Sequence, residues 1–395
     1  MNHRTKSKIC VWVILILILT ILASCDQKNN LDNEIPQVNK EVLDVRDVEE
    51  STNKWIEDND ENINLEIIEL NTSQFITWPD IYEDYVVFAN YNINVAEKRQ
   101  IHLFNTYTKE DEVIYSGQDS KIDYVIDDTR IGDGWVFWVE GYWSTLKNNR
   151  DWFIKAYNIE EKRIKTVRSF SDLPGTSTLQ PRVENEDNTI VWLEGYLDSD
   201  NVLKHVIYSY NADCDEIKKI ADVSHVENPY TIIKPRNYTI CFSDYMDNNW
   251  MMRIINLKTT DETSITLDEY PKQPCSDGRI AVWKENVREL RYMDLNTMEK
   301  DIVPINPFLF DIYNGCIFTS VSDDKKHIYK FDITNKVVTC ITRNAESEHE
   351  EIYFRFTNYH GDKMVCTFQR TLKDENNQTI GLKYDLVIAD GIFEK

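Results

Sequence analysis

Between residues 63 and 395 one short pattern returns seven times, and a chain that repeats itself in this way has few folds open to it. Each unit carries an apolar triplet, a polar loop, then an alternating segment that ends at an Asn or Asp turn. The triplets are Val86-Val87-Phe88, Val136-Phe137-Trp138, Ile190-Val191-Trp192, Ile240-Cys241-Phe242, Ala281-Val282-Trp283, Cys316-Ile317-Phe318 and, more loosely, Met364-Val365-Cys366. The segments that follow end near Phe104-Asn105, Tyr157-Asn158, Tyr210-Asn211, Ile255-Asn256, Met293-Asp294, Phe331-Asp332 and Ile388-Ala389. The best-matched pair is Trp138-Val139-Glu140-Gly141-Tyr142 against Trp192-Leu193-Glu194-Gly195-Tyr196. Short β-branched and aromatic runs divided by turn residues, with no amphipathic helix, read as strands throughout.

A period of roughly 35 to 54 residues is that of propeller blades, four-stranded sheets set around a central channel. The expected fold is therefore all-β, a seven-bladed β-propeller over residues 63–395. A six- or eight-bladed ring, or a pair of two-sheet sandwiches, uses a similar number of strands. Trp78-Pro79, Gln180-Pro181, Lys234-Pro235 and Gln273-Pro274 place a proline early in several units, where a missing N–H suits the first residue of an innermost strand. The last unit runs out after its third strand, and Ile63, Leu65 and Ile67 alternate with polar neighbours. Residues 63–70 are thus expected to supply the missing outer strand and close the ring.

The repeats resemble those of TolB-like and WD-repeat-like propellers of bacterial surface proteins: proline, an apolar strand ending in Trp, then a strand ending in Tyr and Asn or Asp. The resemblance spans residues 63–395 and implies a propeller. WD dipeptides and Ser-Pro-Asp-Gly turns are missing, so it does not reach a subfamily.

Arg4, Lys6 and Lys8 precede an apolar run over residues 9–23 and then Ser24-Cys25, the order of a secretory signal. That run is short for a helix crossing ~30 Å of hydrocarbon, which takes about 20 residues. Leu22-Ala23-Ser24-Cys25 resembles the lipobox of bacterial lipoproteins, which implies cleavage after Ser24, a diacylglycerol and fatty acyl (palmitate-type) anchor on Cys25, and residence at the extracytoplasmic face of a membrane. Residues 1–24 are expected to be the signal peptide. Residues 25–62 read as lipidated cysteine plus a polar, acidic, solvated tether, with room for a short helix over 42–48.

The formal net charge of −24 argues against nucleic acid, whose phosphates need clustered Lys and Arg, while a basic partner or divalent cation remains compatible. No GxSxG elbow, phosphate-binding glycine loop or HExxH helix is present, so no cofactor is expected and the chain reads as more binding module than enzyme. The histidines are scattered, Asn211-Ala212-Asp213-Cys214-Asp215-Glu216 lacks the Gly and distal Glu of a calcium loop, and no metal site is expected. Cys214, Cys241, Cys275, Cys316, Cys340 and Cys366 form neither a dense disulfide framework nor a CxxC pattern, and read as free thiols or at most one disulfide. Two residue sets are candidates for binding a protein, peptide or glycan on one propeller face. Glu140, Tyr142, Trp143, Glu194 and Tyr196 lie at or beside loops between second and third strands, where aromatic rings give contact area cheaply in entropy. Arg130, Arg182 and Arg236 lie by the innermost strands, where they would hold a carboxylate or acidic sugar, or neutralise neighbouring acids. A polysaccharide lyase or glycoside hydrolase, or an envelope scaffold, can be built on the same ring.

Overall fold

A computed structural model describes residues 40–44, 56–58, 63–70, 75–91, 98–119, 124–142, 151–178, 180–226, 232–285, 289–303, 307–321, 327–342, 352–373 and 379–393. The expected signal peptide, its cleavage site, Cys25 and Trp143 lie outside the described residues. Seven sheets, antiparallel but for two added edge strands, follow one another around an axis, giving the expected seven-bladed β-propeller. The blades take residues 75–116, 124–169, 176–223, 233–267, 272–303, 307–340 and 352–390 in chain order. In blade four the innermost strand is reduced to the Arg236–Thr239 bridge, and in blade three it is split into Thr176–Ser177 and Val183–Glu186.

All seven triplets fall in second strands, six of them flanked by a strand on both sides and that of blade four on one side only, and their side chains are buried. Trp138, Trp192, Trp283, Phe88, Phe242 and Phe318 are at most 2 % exposed and fill the clefts between blades. The Asn or Asp that ends each third strand caps the following hairpin. Asn105, Asn158, Asn211, Asn256, Asp294 and Asp332 each accept, through a side-chain oxygen, one or two backbone N–H groups of the turn. This is turn chemistry that only a short carbonyl-bearing side chain provides, and it makes 211–216 a hairpin turn.

Closure follows the expected route. Strand Asn64–Ile68 pairs antiparallel with Thr379–Asp390 and completes blade seven, so both chain ends of the ring share one sheet. The prolines differ from expectation. Pro79 and Pro274 sit inside innermost strands, at register shifts between Thr77 and Asp80 and between Lys272 and Cys275. A bulge leaves a residue outside the ladder, so no N–H is missed, and the preceding Trp78 and Gln273 take φ of 46° and 50°.

The segment 26–62, expected to be a solvated tether, contributes two short strands. Lys40–Asp44 pairs parallel with Glu262–Leu267 at the outer edge of blade four, and Ile56–Asp58 pairs parallel with Val337–Cys340 at the outer edge of blade six. Of the stretch 42–48, where the sequence allows a helix, residues 42–44 belong to the first of these strands and 45–48 lie outside the described residues. Backbone pairing at a sheet edge needs no buried face, so an acidic segment without apolar periodicity takes part in it. All six cysteines beyond Cys25 are free, with Cys241, Cys275, Cys316 and Cys366 buried as small apolar side chains.

Candidate functional site

Around the axis, one position recurs on the innermost strands. Asp80, Arg130, Glu184, Cys275, Asp311 and Asn358 each pair with the residue seven places later on the second strand: Val87, Phe137, Val191, Val282, Phe318 and Val365. Lys234 holds the corresponding place in blade four, two residues before the Arg236–Thr239 bridge. Through the first four blades this series runs acid, base, acid, base.

These charges meet one another. Arg130 donates from Nη2 and Nε to the Glu184 carboxylate at 2.5 and 3.1 Å, bridging blades two and three. Arg182 makes the reverse bridge to Asp128, with Nε 2.8 and 2.6 Å from its two oxygens, and stacks over Trp78. Arg236 and Lys234 donate to Asp311 at 2.6 and 2.9 Å, joining blade four to blade six. Burial alone would raise the Glu184 and Asp311 carboxyls, but Arg130 on one and Arg236 with Lys234 on the other hold both below the usual range. All three arginines proposed from sequence therefore lie by the innermost strands, and each has a carboxylate partner from another blade. Arg236 also lines a cavity.

That cavity, about 90 Å³, lies where the innermost strands end, among Tyr82, Glu186, Arg236, Tyr313 and His360. Ligand pockets usually enclose ~300–1,000 Å³, whereas one water needs ~10–15 Å³, so the space suits a few waters or an ion-sized guest. Burial pushes Glu186 up to about 7, against the opposing pull of Arg236, and pushes Asp80 up to about 6. Burial lowers His360, whose ring lies 4.1 Å from Tyr82 between centroids. Among the described residues no group of three or more His, Cys, Asp or Glu side chains is arranged to hold a metal ion.

The second candidate set divides. Glu140 and Glu194 are buried, at 0 and 1 % exposure. Glu194 receives Arg168 Nε and Nη2 at 2.9 and 3.1 Å and Trp192 Nε1 at 2.9 Å. Glu140 receives Tyr115 Oη at 3.0 Å and Trp138 Nε1 at 3.3 Å, and forms an ion pair with Lys155. The repeated Trp-x-Glu thus reads as an indole donating to a carboxylate two residues on, with a cation or phenol closing the site from another strand. Gly141 follows because a Cβ there would come within 2.2 Å of the Asp151 carbonyl oxygen. Tyr142 donates to Asp119 at 2.5 Å, and Tyr196 packs against the cluster that contains Trp192.

On the end of the ring that carries the loops between second and third strands, blade four presents a feature the sequence reading missed. Trp250 is ringed by Tyr245, Tyr270 and His225, with centroid separations of 4.7, 4.9 and 5.1 Å and interplanar angles of 60°, 72° and 70°. Tyr245 and the adjacent Met246 are 40 and 39 % exposed. In register, Met246 stands where Tyr142 and Tyr196 stand in blades two and three, and Tyr245 stands where those blades have Gly141 and Gly195. The signal was present in the repeat itself, since Phe242-Ser243-Asp244-Tyr245-Met246 continues the triplet of blade four as Trp192-Leu193-Glu194-Gly195-Tyr196 does that of blade three, with a tyrosine in place of the glycine.

No protein-family model matches the chain, and no curated protein sequence matches it. Among solved structures it is similar to an acylaminoacyl peptidase bound to a chloromethyl ketone, at 12 % identity and TM-score 0.54, covering 80 % of this chain and 51 % of that one. It is also similar to the β-propeller domain of the Trilobed protease of Pyrococcus furiosus, at 10 % identity and TM-score 0.52, covering 82 and 98 %. A third likeness is to an oligogalacturonate lyase in complex with manganese, at 10 % identity and TM-score 0.50, covering 83 and 96 %. At these identities the likeness concerns the propeller fold.

Proposed function

We propose that this chain is a bacterial lipoprotein, lipidated on Cys25 at the extracytoplasmic face of a membrane, whose propeller is a non-catalytic binding module for a protein, peptide or glycan. The observation that supports the binding reading is the mutual pairing of the innermost charges. Arg130, Arg182 and Arg236 are spent on Glu184, Asp128 and Asp311, so the axis is furnished as an ion-paired core around a cavity of about 90 Å³. Recognition then falls to the outer faces, where area and aromatic side chains are available.

The test has two arms. Metabolic labelling with a fatty acid, compared between the natural chain and Cys25→Ala, is expected to mark only the former; equal labelling, or none, removes the lipid anchor. The full-length protein in detergent is then screened against envelope glycans and a cell-surface extract. Saturable binding without change in the bound molecule supports a binding module. Depolymerisation of a polysaccharide would support instead the lyase or hydrolase built on the same ring.

A further inference from the structure

From the aromatic cluster of blade four, we propose that this propeller binds a basic peptide segment, a lysine or arginine side chain lying on the rings of Trp250 and Tyr245. The proposal rests on the binding-module reading and names its surface and ligand chemistry. Four rings, His225, Tyr245, Trp250 and Tyr270, come from three separate places in the chain and converge on one end of the ring. A core residue is enclosed by its neighbours, but Tyr245 and His225 are exposed, and Trp250 and Tyr270 are only partly covered.

Charge selects the partner. Asp247, Asp268 and Glu269 flank the cluster in sequence on both sides, all exposed, and none has an ion-pair partner among the described residues. Other carboxylates nearby are already matched: buried Asp244 takes Arg253 at 2.7 Å, exposed Asp222 takes Lys219 at 2.8 Å, and Glu285 takes Arg291. Lys272 and Lys284 face each other across the neighbouring blade, Lys284 donating to the Pro307 carbonyl at 3.1 Å. Among the described residues beside the rings in sequence, the three unpaired acids Asp247, Asp268 and Glu269 then outnumber one unpaired cation, Lys272, and the balance is negative. A cation held over an aromatic face and beside a carboxylate gains from both, which favours lysine or arginine side chains. The interplanar angles of 60–80° point the rings in different directions, so no flat pair of faces is offered to a sugar ring.

The experiment titrates the full-length protein in detergent with labelled tetralysine, tetraglutamate and a neutral oligosaccharide, at low and high salt. Tetralysine is expected to bind, with affinity falling as salt rises. Trp250→Ala is expected to weaken it by about tenfold or more, Trp250→Phe to retain most of it, and Asp268→Asn with Glu269→Gln to weaken it several-fold. The last variant changes only exposed groups, so it remains informative if Trp250→Ala fails to fold. Equal binding of all three probes, or tetralysine binding untouched by these variants, overturns the proposal. A ligand captured from the cell-surface extract that binds Trp250→Ala and the charge variant as well as the natural chain overturns the surface while leaving the module intact. Absence of any ligand from both experiments removes the module and this surface together.

Discussion

The Arg130–Glu184 bridge offers a quantitative test of how the ring is held. Both side chains are at most 3 % exposed, they join two blades at the axis, and the geometry is two-pronged. Removing one partner from such a pair leaves the other buried and unmatched, which costs about 3–5 kcal/mol, whereas replacing both by apolar groups of similar volume is often near neutral. Arg130→Met should thus be severely destabilising, as Glu184 would be left with more distant cations such as Lys234, Arg236 and Arg182. Glu184→Leu should be comparable, and the double variant should recover most of the loss. The unfolding entropy is ~2.1 cal/mol/K per residue, so a body of about 350 residues has roughly 0.7 kcal/mol/K, and 3–5 kcal/mol lowers Tm by ~4–7 °C. Calorimetry or a dye-based melt on the two single variants and the double variant measures this. Single variants within about 1 °C of the natural protein, or a double variant as low as the sum of the singles, would refute the argument that the charges are there for one another.

Glu186 should make the protein pH-sensitive. Its folded pKa, pushed up to about 7 from 4.5, means the folded state keeps a proton that the unfolded chain releases, so the contribution of Glu186 to stability is greatest below about pH 4.5 and falls as pH rises towards 7. The shift is worth roughly 3 kcal/mol at most; Glu186→Gln should remove that fall, and identical pH profiles of Tm for the two proteins would contradict it. Trp192→Ala, emptying a fully buried indole site, should cost about 3–5 kcal/mol, read by denaturant midpoint. Asn211→Ala, deleting the acceptor of two turn N–H groups, should cost about 1 kcal/mol by the same measurement, and no change would mean the turn is held by its other contacts. Removing residues 63–70 should leave the last strand of blade seven unpaired on its outer edge and convert one cooperative transition into a broad one.

What was legible in the sequence is what repeats locally. A triplet such as Ile190-Val191-Trp192 is buried because its strand is flanked on both sides, and Asn158 or Asn256 ends a strand because its oxygen caps the turn two or three residues later. Both facts are confined to one hairpin, so spacing alone reveals them. The fates of Glu140 and Glu194 were not legible. Their partners Tyr115 and Arg168 come from the neighbouring blade, and no single-chain pattern announces which surface loop position is in fact an interior carboxylate. Asp311 meets Arg236 across 75 residues and a skipped blade. The strands Lys40–Asp44 and Ile56–Asp58 were hidden for the opposite reason, since edge pairing is made by backbone and leaves no apolar signature.

The first of those edge strands alters how far the proposed lipoprotein can operate from its membrane. With residues 26–62 all free, ~3.3–3.6 Å per residue would have allowed a leash of about 120–130 Å. Since the chain is captured at Lys40 on the rim of blade four, only residues 26–39 remain, at most about 50 Å when fully drawn out. A module so confined samples a thin shell above the bilayer and meets anything anchored in that layer at a high effective concentration. A weak contact with a co-anchored neighbour would then suffice where a freely diffusing ligand would need a tight one.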